Sequence, residues 1–142
     1  MYLVGSNVFD EILLDQVQAR QARAFIEAEA GKSLHLSDFA LHSIGVVLRR
    51  HKKLEAFSEF LNDLVLNDGV KVLTLRPEDL HSVVTLSREL GLDFDDAYQS
   101  AVAEKHGLTI VSFDAHFDRT PRGRKTPEQV RPTLSEQETD AT

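Results

Sequence analysis

Short apolar runs alternate with helix-like segments along this 142-residue chain. The runs are "MYLV" at residues 1–4, "SLHL" at 33–36, "VKVLTL" at 70–75 and "LTIV" at 108–111. Strands that alternate with helices form parallel sheets covered by helices on both faces. The pattern therefore predicts a three-layer α/β/α fold around a short, mostly parallel central sheet. Such sheets carry their functional groups at the carboxyl ends of the strands.

The connecting segments read as helices. "SNVFDEILLDQ" spaces Val8, Ile12, Leu13 and Leu14 roughly helically, with Ser6 or Asn7 as N-cap. "VQARQARAFIEAEAG" closes at Gly31. "SDFALHSIGVVLRRH" has Ser37 or Asp38 as cap and Arg49, Arg50 and His51 in its last turn, where they suit the helix dipole. "KLEAFSEFLNDLVLNDG" aligns Leu54, Phe57, Leu61, Leu64 and Val65 on one stripe. Pro77 opens the next helix, and "DDAYQSAVAEKHG" ends at Gly107. Residues 119–142 hold three of the four prolines and few apolar residues. They read as a charged tail that adds little to the core and is in part disordered, leaving residues 1–118 as the domain.

A net charge of −7 argues against broad adhesion to nucleic acid, which needs a basic face. It leaves room for a local basic cluster, and Arg119, Arg122, Arg124 and Lys125 make one. The absence of cysteine excludes disulfides, thiolate catalysis and cysteine–zinc sites. No apolar run reaches membrane-spanning length and the amino terminus lacks a leader pattern, so a cytoplasmic protein with no membrane partner is expected.

The sharpest chemical signal is "LDFDDAYQSAVAEKHGLTIVSFDAHFDRT". Asp93, Asp95 and Asp96 start one helix; Asp114 and Asp118 follow the next strand. A helix start and a strand end in one αβ unit share an edge of the sheet. Clustered carboxylates repel unless a cation or protons lie between them. Hard cations such as Mg²⁺ or Mn²⁺ prefer oxygen ligands of this kind. The alternative is structural: Asp caps helix N-termini and sits in turns without any ion.

At these motifs the chain resembles the PIN-domain family, most closely the small VapC-like ribonucleases of toxin–antitoxin pairs. The resemblance spans about residues 1–118 and rests on "MYLVGSNVF", "SDFALHSIGVVL" and "FDDAYQSAVAEKHGLTIVSFDAHFD". It implies a Mg²⁺- or Mn²⁺-dependent endoribonuclease acting on RNA, an antitoxin partner and a homodimer. By position, Asp96 matches the family's acid before alanine and Asp114 its acid after the last core strand. Asp118 is an outer carboxylate, and Ser6 and Asn7 match the hydroxyl and amide that orient the site. Two family acids are missing: the first-strand aspartate falls on Gly5 and the central glutamate near Ser43. Asp38 could stand in for one of them as a metal ligand, or simply cap its helix.

Two functions follow. In the first, Asp96, Asp114, Asp118 and Asp38 gather a metal ion, and the basic cluster at 119–125 holds the RNA backbone. In the second, Gly5 and Ser43 leave a weakened or inactive PIN-like module that binds RNA or an antitoxin-like protein without cutting.

Overall fold

The structure is a computed structural model that describes residues 1–29 and 34–132. Four strands form one sheet: β1 (Tyr2–Val4), β2 (Leu34–Ser37), β3 (Lys71–Leu73) and β4 (Thr109–Val111), in the order β3-β2-β1-β4. Every neighbouring pair is parallel, in register through Leu3↔Ile110, Tyr2↔Leu34 and Leu36↔Val72. Parallel pairing needs a crossover between strands, and the seven α-helices among the described residues lie on those crossovers and beyond the last strand. They are α1 (Ser6–Leu13), α2 (Ala19–Glu29), α3 (Asp38–Arg50), α4 (Leu54–Phe60), α5 (Leu80–Leu90), α6 (Phe94–His106) and α7 (Pro127–Val130).

The side-chain period of two sorts the strands between two cores. Val4, Leu34, Leu36 and Val111 face Val8, Phe9, Phe25, Ile26, Ile44 and Leu48 of α1–α3. Leu3 and Ile110 face Val83, Ala97, Val102 and Phe117 on the other side. The predicted three layers are thus present. Ring pairs fix the first core, with Phe9 and Phe60 centroids 4.9 Å apart and Tyr2 edge-on to Phe25 at 5.5 Å.

Local expectations meet the structure unevenly. Ser37 caps α3 as predicted, its hydroxyl accepting from Ala40 N–H at 2.9 Å. α6 ends at Gly107 with φ +66, the left-handed conformation that favours glycine. At α1 the N-cap is Gly5, not Ser6 or Asn7, and no side chain caps that end. The segment after Lys53 is helical, but from Leu61–Asn67 it widens into a π-helix. The expected close of α2 at Gly31 lies outside the described residues.

Packing continues past Asp118. Lys125 pairs with Val111 in a parallel bridge, its N–H donating to Ile110 O at 2.9 Å and its carbonyl accepting from Ser112 N–H at 3.0 Å. Thr126 caps α7, Pro127 is buried, and α7 packs against α2. Residues 119–130, half of the segment read as a tail, are therefore held against β4 and α2, because a main-chain bridge and one buried proline need no apolar run.

Candidate metal and nuclease site

Three elements bring their ends to one edge of the sheet. β1 ends at Val4, and Gly5 N–H donates to Val111 O at 2.9 Å, tying that end to the end of β4. The first turn of α1 then presents Asn7 to the loop after β4. Its amide donates to Ser112 Oγ at 2.9 Å and its carbonyl oxygen accepts from Phe113 N–H at 3.2 Å. Ser112 Oγ also accepts from Asp114 N–H at 3.0 Å. Asn7 therefore serves as a brace for the turn that carries Asp114, which is why it does not cap α1. Ser112 is fully buried, so this network is shielded from competing water.

From the third element, α6, Asp95 and Asp96 enter in the first turn. Together these ends enclose a cleft of about 120 Å³, whose lining includes Gly5, Ser6, Asn7, Ser43, Asp96 and Asp114. One ligand atom each of Asp96, Asp114 and His116 lies within 4.8 Å of the other two. The Asp96 side chain is only 13% exposed and that of Asp114 31%. Two carboxylates that close repel by about 1.7 kcal/mol at an effective dielectric near 40, suited to a cleft open to water. Burial first, then the charges of Asp95 and Asp114, push the Asp96 carboxyl above its usual range, while His116 pulls it back. His116 Nδ1 stands 3.3 Å from Asp96 Oδ2 and 3.1 Å from Asp114 Oδ1.

These groups fit a divalent cation. The oxygen-rich donor set is the kind Mg²⁺ and Mn²⁺ prefer, with imidazole a further option for Mn²⁺. Gln99 lines the same cleft with a buried Oε1 that has no hydrogen-bond partner, an acceptor left for a ligand or its water.

Of the residues singled out in the sequence, the cleft unites Ser6, Asn7, Asp96 and Asp114. Asp38 and Asp118 lie outside its lining. Asp38 Oδ1 accepts from Tyr98 O–H at 2.9 Å and from Phe39 N–H at 2.8 Å. Asp118 is paired with Arg124 at 3.2 and 3.3 Å. The basic cluster is also engaged: Arg119 donates to Gly91 O, Arg122 twice to Leu108 O, and Arg124 to Ser112 O. Those arginines staple the segment after β4 to the end of α5 and to the residues flanking β4, and Lys125 contributes its backbone.

His116, Ser112, Gln99 and Phe39 are members of the site that sequence reasoning missed. His116 had a signal in "SFDAHFD", two residues past Asp114. Asp114 caps a 3₁₀ turn, Ala115–Arg119, by accepting from His116 N–H at 2.8 Å, and that turn aims the imidazole back at Asp96.

The PIN-domain family model matches residues 2–123. The chain belongs to the PIN-domain family. Comparison with curated protein sequences gives no match. Among solved structures, PAE2754 from Pyrobaculum aerophilum is 26% identical, with a TM-score of 0.67, covering 91% of this chain and 85% of that one. A toxin–antitoxin complex from Klebsiella pneumoniae aligns at TM-score 0.70 and 17% identity, covering 89% of this chain and 98% of its own. VapC20 from Mycobacterium tuberculosis, titled a sarcin–ricin loop cleaving toxin, aligns at 0.67 and 18%, covering 81% and 91%. The fold of this PIN domain is thus that of toxin–antitoxin proteins. Within it, Gly5 and Ser43 both line the cleft, at the two positions where the resemblance places acids.

Proposed function

We propose that this PIN domain is a divalent-metal-dependent ribonuclease whose site is short of carboxylates. The observation that carries the reading is the convergence of Asp96, Asp114 and His116 on one small cleft at the carboxyl edge of the sheet. Asp96 and Asp114 would hold the ion, Mg²⁺ or Mn²⁺, with His116 beside them. When bound, the ion supplies charge neutralisation at the scissile phosphate and an acidified water. The chain's own part is positional. Asn7 and Ser112 fix the turn bearing Asp114, Ser6 lines the entrance, and Gln99 offers an acceptor to a water or sugar hydroxyl. With acids absent at 5 and 43, Asp96 and Asp114 would hold the ion with few protein carboxylates, as Mg²⁺ commonly accepts, leaving room for phosphate oxygens of the substrate. Asp38 and Asp118 act outside the metal's reach.

A solved neighbour titled as a toxin–antitoxin complex supports an antitoxin-type protein partner. The exposed apolar side chains Leu54 and Leu66, in α4 and in the π-helix that continues it, support a homodimer. Among the described residues, no helix is long and apolar enough to cross a membrane.

Isothermal calorimetry with MnCl₂ tests the site. Binding is expected in the native chain, weakened at least tenfold by Asp96→Asn or Asp114→Asn and unchanged by Asp118→Asn. Equal binding by all four proteins would remove the proposed centre. A second reading, a PIN module that binds RNA or its partner without cutting, is favoured by Gly5 and Ser43 alone. Mn²⁺ binding without RNA cleavage would select it.

A further inference from the structure

The cleft has an aromatic lip. Phe39, in the first turn of α3, lines it and is 40% exposed, whereas Phe9, Phe25 and Phe60 of the first core are buried. Its ring is braced from behind by Tyr98, with centroids 5.4 Å apart and planes tilted by 42°. Tyr98 is held in turn at its hydroxyl, which accepts from Leu75 N–H at 3.1 Å and donates to Asp38 Oδ1 at 2.9 Å. The same Asp38 oxygen accepts the Phe39 N–H. Asp38 is thus the keystone of a rigid aromatic mount beside the acidic pocket. Phe94 lies one helical turn before Tyr98, on the same face of α6, and is 48% exposed.

An exposed ring costs hydration free energy, and the fold fixes this one instead of burying it. A preordered aromatic face next to a phosphate-handling site is what unpaired bases stack on. Bases in a duplex are already stacked and cannot use it. We propose that Phe39, held by Tyr98 and Asp38, stacks a nucleobase of single-stranded RNA next to the phosphate in the acidic cleft. This deepens the ribonuclease reading and rests on it for the identity of the phosphate. Phe39 is a substrate-positioning residue, and the mount sets a preference for unpaired RNA.

The test is fluorescence anisotropy in CaCl₂ with three labelled probes: a mixed-sequence single-stranded RNA 12-mer, its blunt duplex, and an abasic 12-mer. Native protein should bind the single strand tighter than the other two. Phe39→Ala should lose about tenfold or more on the single strand, with no change on the abasic strand. Phe39→Trp should restore the preference, and Asp38→Asn should weaken it in part. Since Phe39 is partly exposed, melting temperature serves as the folding control. If Phe39→Ala weakens all three probes alike, or none, stacking is overturned while the nuclease reading stands. If native protein binds no probe, both fall. If stacking holds but RNA stays uncut with Mn²⁺, only the nuclease reading falls.

Discussion

Gly5→Asp is the most informative perturbation of this site. The backbone at Gly5 has φ −71 and ψ 150, which any residue adopts, so conformation is no obstacle. Space is tight. A Cβ there would meet Ser112 Oγ at 3.2 Å, Ser112 Cβ at 3.3 Å and Asn7 Oδ1 at 3.5 Å. Ser112 must yield by a few tenths of an ångström, costing about 1 kcal/mol. The new carboxylate also joins Asp96 and Asp114 in one cleft. At roughly 6 Å and an effective dielectric of about 40, each repels it by about 1.4 kcal/mol. Without metal the variant should therefore lose about 3–4 kcal/mol, roughly 10 °C in melting temperature for a chain of this size. A third carboxylate should tighten divalent binding by tenfold to a hundredfold, judged from the sensitivity of ligand shells. At Mn²⁺ a hundredfold above Kd, binding returns about 2.7 kcal/mol. Thermal melts in EDTA and in MnCl₂ read both effects. The native chain should shift little with Mn²⁺, and Gly5→Asp should recover most of its deficit. An equal deficit in EDTA and in Mn²⁺ would refute the reasoning, since position 5 would then not face the ion.

Burial, then the charge of Glu11, raises the Asp10 carboxyl to about 6, with His51 opposing. Its Oδ1 is buried without a partner. The folded state holds this proton more tightly than the unfolded chain. Ionised Asp10 therefore destabilises the fold fully above pH 6, and the penalty vanishes as pH falls below about 4. Asp10→Asn should stabilise by about 2–3 kcal/mol at pH 8 and by almost nothing at pH 4, measured by urea melts at both values. Phe9→Ala removes a ring that is 1% exposed and packed at a tilt against Phe60, and should cost about 3–5 kcal/mol; Val17→Ala, at a 99% exposed side chain, should change stability by under about 0.5 kcal/mol in the same melts.

Much of this was legible in sequence because it is local. "LTIV" and "DDAYQSAVAEKHG" announce β4 and α6 through period and glycine stop, and their acids fall at one sheet edge once the strands are parallel. Asn7 was legible through its motif, though its brace to Ser112 spans 105 residues and no local pattern shows it. Asp38 reads as a metal ligand or a cap for the same reason: no local pattern shows that its carboxylate is claimed by Tyr98 sixty residues away. Arg119, Arg122 and Arg124 look like a phosphate-binding cluster until carbonyl acceptors on distant loops are in view. The π-helical widening at Leu61–Asn67 leaves an apolar stripe that still reads as α-helical.

The central claim is that Asp96 and Asp114 organise a metal-dependent ribonuclease in spite of Gly5. Its most direct measurement is cleavage of an end-labelled single-stranded RNA by the purified native chain in MnCl₂, beside Asp96→Asn, Asp114→Asn and an EDTA control. Slow cleavage by the native chain alone, abolished by EDTA and by either substitution, is the predicted result. No cleavage by the native chain, or the same cleavage in Asp96→Asn, would contradict it.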